Sequence, residues 1–238
     1  MDKHQSIKIL SVIALFLATS FASKAQLTQS FFLNGTLPTN EFNNSIYISE
    51  EDLPMGREHI GKGATVGLGF TYRAGYRFDI GFGEVTPFAE VSLFWNRIKS
   101  DSRDIYDKQR CTDPHYFNIP ISAGVNYRYM LTDMVTIYGE FGLGYDILSI
   151  TREGWKGGSD DPTKNFDYRY NSGNALCWQL GAGVFLGNYV SVGITYNGLG
   201  KHLIDYNTSK SIGVGSNPNE ETVHRRLGLL ALRIGFHL

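Results

Sequence analysis

The sequence predicts an all-β fold, an eight-stranded antiparallel up-and-down transmembrane β-barrel. Three observations favour this fold class: eight segments alternate apolar with polar or small residues, the connections between them alternate in length, and an export signal precedes them. Successive side chains of a β-strand point to opposite faces, so each segment offers one apolar and one polar face. Glycines are spread through these segments rather than gathered in a linker, which indicates that one face is crowded.

Residues 1–25 have the form of a secretory signal peptide. Their start is positively charged, an apolar stretch follows over 9–21, and small residues flank Lys24 ahead of Gln26. The apolar stretch is too short for a membrane-spanning helix, and a cleavage site follows it. Both features disfavour the alternative of an ordinary buried first helix. We therefore expect one barrel domain at 26–238.

The eight predicted strands differ in how cleanly they alternate. From Phe117 to Tyr129 every odd position is apolar or aromatic, and every even position is polar, small or proline; the segment over 135–147 repeats the pattern. The other six predicted strands lie at 30–37, 66–78, 85–96, 176–186, 190–197 and 230–238. Four phenylalanines break the pattern by falling on the polar face: Phe32, Phe88, Phe94 and Phe185.

The connections between these strands predict which strand ends share a side of the membrane. Long connections are expected at 43–62, 101–116, 154–174 and 205–223, and short ones at 79–84, 132–134 and 187–189. An even number of strands, with short turns on one side and longer loops on the other, is the layout of bacterial outer-membrane barrels. We therefore expect the protein in the cell outer membrane.

The volume of a small barrel predicts that the apolar face points outward. Alternation alone also fits a soluble carrier barrel in the periplasm. The interior of eight strands is only just wide enough for side chains to fill, whereas the apolar face carries several large residues per strand. Those residues must then face out, and contiguous apolar surface of this extent is tolerated in lipid and not in water. Closure into a barrel follows, because unpaired backbone groups are costly in hydrocarbon.

Aromatic residues near the strand ends support the membrane placement. Amphipathic rings form girdles at both interfaces of such barrels. Packing of the same rings in a soluble core is the alternative that the volume argument disfavours. The predicted aromatic girdle consists of Tyr72, Tyr76, Trp95, Tyr127, Tyr129, Tyr145 and Tyr196.

The polar face carries charged residues that all fall in the half of the barrel nearer the short turns. Buried charges are tolerated when they are paired, so we expect a mixed ion-pair and hydrogen-bond cluster that plugs the barrel. A proton or ion path is the functional alternative, and structural filling is favoured because eight strands leave no continuous aqueous channel. The predicted cluster consists of Arg73, Glu90, Arg128, Glu140 and Arg233.

No catalytic, metal or cofactor site is predicted. Outside the signal peptide, no histidine stands two positions from a serine on one strand face, although a pair from neighbouring strands stays open. Cys111, Asp113 and His115 are of metal-binding type, but no fourth ligand is evident. Whether Cys111 and Cys177 form a disulfide is left open by their spacing. The mid-strand glycine pairs are not followed by helices, so we interpret them as room for the charged cluster.

The chain resembles the small outer-membrane β-barrel families, namely the OmpA/OmpX-like barrels and the PorT-type barrels. The resemblance is carried by the signal ending Ser23-Lys24-Ala25-Gln26, by the opening strand over 31–38 and by the closing strand over 230–238. It is one of pattern over the whole mature chain. It implies insertion by the barrel-assembly machinery and residence among membrane lipid and lipopolysaccharide, with roles that range over envelope integrity, adhesion and secretion.

We therefore expect a non-enzymatic, structural or ligand-displaying protein whose partner at the long loops is unknown. A net charge of −1 argues against a nucleic-acid partner. The alternatives are an outer-membrane enzyme that modifies lipid or lipopolysaccharide, a soluble periplasmic carrier barrel and, more weakly, a pore.

Overall fold

The computed structural model describes residues 26–44, 63–98, 111–112, 115–151, 153–155, 166–170, 173–187, 189–210 and 220–238. The predicted signal peptide and most of the predicted long connections lie outside these residues. Within the described ranges, no helix is long and apolar enough to cross a membrane. The part of the chain that is described is almost entirely β-strand.

Eight long antiparallel strands form a closed barrel, which confirms the predicted fold class. Their order around the wall follows the chain, and the first strand pairs with the last, with Phe31 opposite Phe236 and Leu37 opposite Leu230. Closure therefore leaves no open edge in the wall. The long strands are β1 Gln26–Asn40, β2 Ala64–Asp79, β3 Glu84–Ile98, β5 His115–Thr132, β6 Val135–Ile150, β9 Asn174–Leu186, β10 Val190–Lys210 and β11 Glu220–His237.

Three short strands lie beyond the barrel wall, on the side of the long connections. They are β4 Cys111–Thr112, β7 Glu153–Trp155 and β8 Phe166–Tyr170, and they continue the sheet from β10 in the order β8, β7, β4. Near the long connections, β10 and β11 continue to pair with each other as far as Asn207 and Glu220.

The sequence predicted long loops over 154–174 and 205–223. This prediction was wrong where the structure has strands β7 and β8 and the paired ends of β10 and β11. At the ends of β10 and β11 the apolar alternation fades while the backbone pairing continues, because a strand outside the bilayer needs no strict alternation. Strands β7 and β8 have three and five residues, too few for the sequence pattern to mark them.

The side chains face as the alternation predicted. Leu68 on β2 and Leu143 on β6 are 66% and 60% exposed on the outer wall, whereas Thr71 and Asn118 are fully buried inside. The large apolar residues of the membrane-spanning part are therefore on the lipid side. The four phenylalanines that break the alternation are buried in the lumen as well.

Near the long connections the barrel interior changes character. A cluster of buried apolar residues fills it, and Phe42 enters that cluster from a single 3₁₀ turn, Glu41–Asn43, that follows β1. The turn is held by Arg225, whose guanidinium donates hydrogen bonds to the Glu41 and Asn44 carbonyls. The cluster is made of Phe42, Ala64, Phe94, Tyr116, Leu148, Ile150, Leu199, Ile204, Leu227 and Leu229. We call it the loop-side core, and we call the opposite end of the barrel the turn side.

Candidate functional site in the barrel interior

Four of the five predicted interior charges meet across the lumen on the turn side. Arg73 and Glu90 are direct cross-strand partners on β2 and β3, and Glu140 and Arg233 project from β6 and β11. All four are buried. Their strands come from different parts of the wall, so the four side chains span the interior rather than line one side of it.

Short ion pairs join these four residues into one ring. The Arg73 guanidinium lies 2.6 Å from Glu90 Oε2 and 2.7 Å from Glu140 Oε2. Arg233 lies 2.8 Å from Glu140 Oε1 and 3.5 Å from Glu90 Oε2. Each carboxylate is therefore shared by both guanidinium groups, and two positive charges balance two negative ones. This mutual pairing is what makes their burial tolerable in a narrow interior.

Neutral groups complete the surroundings of Glu140. The Asn126 amide donates to Glu140 Oε2 at 3.3 Å, and the Thr195 hydroxyl donates to Oε1 at 3.4 Å. Gly181 leaves the required space, because a Cβ there would lie 2.6 Å from Thr195 Oγ1 and 2.9 Å from Glu140 Cγ. The other mid-strand glycine pairs make room mainly for large neutral groups such as Phe94 and Gln179, and not for the charged ring as expected.

Arg128, the fifth predicted charge, joins the group through a hydrogen bond and not through an ion pair. Its Nε donates to Asn126 Oδ1 at 3.1 Å, and Asn126 in turn bonds Glu140. Among the described residues, no carboxylate lies within salt-bridge distance of Arg128. Its guanidinium instead covers the ring of Phe185, at 4.0 Å from the ring centroid.

Phenylalanine rings cover the guanidinium faces throughout this group. Arg73 lies 3.8 Å from the Phe88 centroid, and Arg233 lies 4.1 Å from that of Phe32. A cation over an aromatic face is attracted by the ring quadrupole, most strongly where water is excluded. The phenylalanines that interrupt the alternation therefore pack the charged ring from its sides, a role that the sequence pattern alone did not suggest.

A second buried group at the turn side was missed from the sequence. His237 Nδ1 lies 2.7 Å from Ser30 Oγ, and its Nε2 lies 2.8 Å from Ser191 Oγ. The rings of Phe32 and Phe185 pack against the imidazole. The three polar residues come from β11, β1 and β10, so a search within single strands could not find them. Aligning the strands by their turn ends, with the barrel closed, would have brought them together.

A third buried pair lies towards the loop side. His202 Nε2 is 3.1 Å from Asp146 Oδ2 and 2.9 Å from the Leu199 carbonyl oxygen, and both side chains are fully buried. His202 points inward because a bulge between Gly198 and Gly200 shifts the phase of β10. Apart from the two glycines, nothing in the sequence pattern indicated this shift.

The residues considered from the sequence as metal ligands were Cys111, Asp113 and His115. No group of three or more His, Cys, Asp and Glu residues within the described ranges is arranged to hold a metal ion. Cys111 and His115 belong to described strands, and Asp113 lies outside the described residues. Cys177 is a free thiol buried inside the wall.

The predicted girdle residues all lie on the outer wall. Tyr129 and Tyr145 are both 46% exposed, and the others are partly covered by outward neighbours, such as Trp178 against Tyr196. Closed backbone pairing together with this apolar and aromatic exterior satisfies both demands that hydrocarbon makes on a protein. The fold is that of a small outer-membrane β-barrel.

The barrel matches no family model, and it matches no curated protein. Among solved structures, the barrel is similar to the outer membrane protein OprG from Pseudomonas aeruginosa, with 15% identity, a TM-score of 0.49, and 89% of this chain and 95% of that chain covered.

A major outer membrane protein from Thermus thermophilus is also similar, with 13% identity, a TM-score of 0.48, and coverage of 89% and 99% of the two chains. Neisserial surface protein A has 13% identity and a TM-score of 0.45, and the match covers 91% of this chain and 99% of that one. The likeness is one of fold.

Proposed function

We propose that the protein is a non-enzymatic, non-conducting outer-membrane barrel that acts through the structure on its loop side, as a structural or partner-binding element of the cell envelope. The observation that carries this proposal is the filled lumen. The charged ring occupies the turn side, and the loop-side core occupies the other end. With both halves of the lumen occupied by side chains, the surfaces left for function are the outer wall and the loop side.

The loop side offers a surface suited to a protein partner. Strands β8, β7 and β4 extend the sheet away from the upper part of β10, with Tyr206 opposite Tyr170 and Cys111 opposite Trp155. A sheet that projects beyond the bilayer has backbone groups at its margin that can pair with an added strand. This is the part of the described barrel that is best placed to meet a molecule outside the cell.

Planar-bilayer recording tests the non-conducting state. We expect the purified barrel to give no stable channel, because the charged ring and the loop-side core both obstruct the lumen. The Phe42→Ala variant should behave in the same way, since the charged ring stays in place. Reproducible, long-lived conductance from the wild-type barrel would overturn the proposal and would favour the pore.

Replacing residues 153–170 by a short Gly-Ser turn tests the role of the loop side. The wall strands are untouched, so the variant should keep the shifted gel mobility of a folded barrel before boiling. Crosslinking on intact cells should then no longer give the crosslinked product that the wild-type protein forms with its partner. A matched variant with a Gly-Ser insertion in the short turn at 187–189 should keep it. An unchanged crosslinking pattern after the replacement would contradict the proposal.

The contact between Ser30 and His237 favours a second candidate, a hydrolase that acts on lipid. Three features weigh against it: the pair is inside the lumen rather than on the lipid-facing wall, both residues are buried, and the second imidazole nitrogen is taken by Ser191. A catalytic serine needs an accessible nucleophile and an oriented base. A serine-reactive fluorophosphonate probe should leave the folded protein unlabelled. Labelling that is lost in Ser30→Ala would instead establish the hydrolase.

The finer assignments from the sequence are part of the same proposal. We place the chain with the OmpA/OmpX-like or PorT-type barrels, inserted by the barrel-assembly machinery and surrounded by lipopolysaccharide. The support is the opening and closing strand pattern and the form of residues 1–25. N-terminal sequencing of the protein from purified outer membranes should begin at Gln26. A protein that keeps residues 1–25 would contradict the signal peptide.

A further inference from the structure

Arg128 is a buried cation close to the opening of the lumen on the turn side. It is 8% exposed, and its direct cross-strand partner is Glu84, the first residue of β3. The Glu84 carboxylate lies instead towards Arg77 on the other neighbouring strand, 3.5 Å from the Arg77 Nε. Both side chains of that pair are partly exposed, so Arg128 lies at the height where the lumen meets the solution.

The guanidinium of Arg128 has one edge without a partner in the protein. Its Nε donates to Asn126 Oδ1, and the Phe185 ring covers one of its faces. Among the described residues, none accepts a hydrogen bond from the two terminal amino groups, Nη1 and Nη2, and no carboxylate lies within salt-bridge distance of them. These two groups form an edge of the guanidinium that can hold both oxygens of a carboxylate.

The charges of the turn-side interior do not cancel. Two arginines and two glutamates balance each other in the charged ring, and Arg77 balances Glu84. Arg128 then keeps a positive charge that no acid among the described residues offsets. A buried charge without a counter-ion is costly, so this arrangement favours one negative charge beside Arg128.

An excess of one positive charge favours a carboxylate over a phosphate. A carboxylate has a single negative charge, and its two oxygens match the planar edge of a guanidinium. A phosphate group has between one and two negative charges near neutral pH, which would leave the opening with a negative excess. The charged ring obstructs the lumen behind Arg128, so an anion can bind at the opening without crossing the barrel.

We propose that Arg128 binds one carboxylate group that enters the lumen from the turn side, which faces the periplasm in outer-membrane barrels. Nη1 and Nη2 of Arg128 donate to its two oxygens. A free carboxylic acid and an acidic side chain of a polypeptide carry this same group, so both can supply it. The site goes beyond the proposed function and lies at the opposite end of the barrel from strands β8, β7 and β4.

NMR spectroscopy of the isotope-labelled barrel in zwitterionic detergent micelles tests the site. Acetate replaces chloride at constant ionic strength near neutral pH, and the side-chain Nε–H resonance of Arg128, assigned from its absence in Arg128→Lys, is followed. We expect a saturable change in its chemical shift, because the bound carboxylate contacts the same guanidinium. The resonance of Arg97, an exposed arginine at the loop-side end of β3, should show no saturable change.

Saturation transfer from the protein to the acetate methyl group compares the affinities of variants. Arg128→Gln should weaken acetate binding about ten- to hundredfold, as expected for the loss of charge-assisted hydrogen bonds. Arg77→Gln should weaken it about fivefold, because the freed Glu84 carboxylate can pair with Arg128. Glu84→Gln should strengthen it about fivefold, because it removes a nearby negative charge. Arg97→Gln is the matched control and should leave it unchanged.

Gel mobility before boiling verifies that each variant is folded. The opposite effects of Arg77→Gln and Glu84→Gln test the site even if Arg128→Gln does not fold. Four results would overturn it: no saturable change at Arg128, unchanged binding in Arg128→Gln, an equal loss in Arg97→Gln, or effects of the same sign in Arg77→Gln and Glu84→Gln.

Two further probes identify the ligand. Inorganic phosphate should bind more weakly than acetate, and binding as tight as that of acetate would overturn the carboxylate assignment. A short peptide with blocked ends and one central aspartate distinguishes the two sources of the carboxylate. Tighter binding of the peptide than of acetate would assign the carboxylate to a polypeptide, and weaker binding would assign it to a free acid. Both results support the carboxylate site.

Discussion

The turn side and the loop side of this barrel are built on opposite principles. On the turn side the interior is polar and charged, with Arg73 and Glu140 across the lumen, and the outer wall is apolar. On the loop side the interior is mainly apolar, around Phe42 and Leu148, with the buried pair of His202 and Asp146 beside it, and the wall outside carries Lys201 and Arg226.

Strand β11 shows the change most clearly: near the long connections its inward residues are Leu227 and Leu229 and its outward residue is Arg226, whereas near its other end Arg233 is inward and Leu232 is outward. The change is expected where the surroundings of the wall pass from lipid to water.

Among substitutions that test this comparison, one in the charged ring should lower the free energy of unfolding most. Glu140→Gln removes the carboxylate shared by two buried guanidinium groups and leaves them undercompensated. Breaking a buried pair in this way costs about 3–5 kcal/mol. Urea unfolding in phospholipid vesicles, followed by tryptophan fluorescence and gel mobility, measures the loss. The control is Glu84→Gln, because Glu84 pairs with Arg77 at 3.5 Å in partly exposed surroundings and should lose less than about 1 kcal/mol. Equal losses would show that the ring is hydrated.

A substitution in the loop-side core should have the next largest effect on the free energy of unfolding. Phe42→Ala should destabilise the barrel by about 3 kcal/mol, because it leaves a cavity in a packed apolar cluster. The same unfolding experiment measures it. Phe82→Ala, at the tip of a short turn where the ring is 70% exposed, should change stability by less than about 1 kcal/mol. If Phe42→Ala lowered the free energy of unfolding no more than Phe82→Ala does, the apolar cluster on the loop side would not be a tightly packed core.

Substitutions on the outer wall test where along the strands the surrounding lipid ends. Leu143→Arg puts a charge on the apolar band of β6 and should cost about 2–4 kcal/mol, whereas Leu203→Arg beside Lys201 should cost about 0–1 kcal/mol. The difference between the two variants, measured by unfolding in vesicles, maps where the lipid ends. Equal costs would place both positions in the same solvent and would contradict the proposed boundary.

Neutral hydrogen bonds of the turn side give the smallest effect. Ser191→Ala removes one partner of His237 and should cost about 1 kcal/mol, because the second imidazole nitrogen keeps its bond to Ser30. Ser149→Ala, on the outer face of β6, should stay within about 0.5 kcal/mol. A loss above that of Glu140→Gln would mean that the histidine group, and not the charged ring, dominates the turn side.

The alternation of the sequence was sufficient to predict which residues of the membrane-spanning part face lipid and which face the lumen. It placed Arg73, Glu90, Glu140 and Arg233 together, because inward positions at similar distances from the short turns meet in a narrow barrel. Each of these inferences uses information that is local to a strand or to the turn that follows it.

What the sequence pattern did not predict depends on long-range register or on a change of solvent. The group of Ser30, Ser191 and His237 requires the first strand to lie beside the last, and His202 points inward because of the bulge at Gly200. The loop-side core was missed because the rule of a polar lumen was applied beyond the height at which lipid surrounds the wall. Strand β8 does alternate, with Phe166, Tyr168 and Tyr170 against Asp167 and Arg169, but its five residues and the three of β7 are too few to mark a membrane-spanning strand.

The pairing of β1 with β11 has a consequence for how the protein is made. Ser30 and His237 are 207 positions apart, yet they touch in the finished barrel. Contacts of such high sequence separation form slowly, because most of the chain must be arranged before they bring any gain. The wall therefore cannot close until β11 has been made, and a chain truncated before its final segment would have two strand edges without backbone partners.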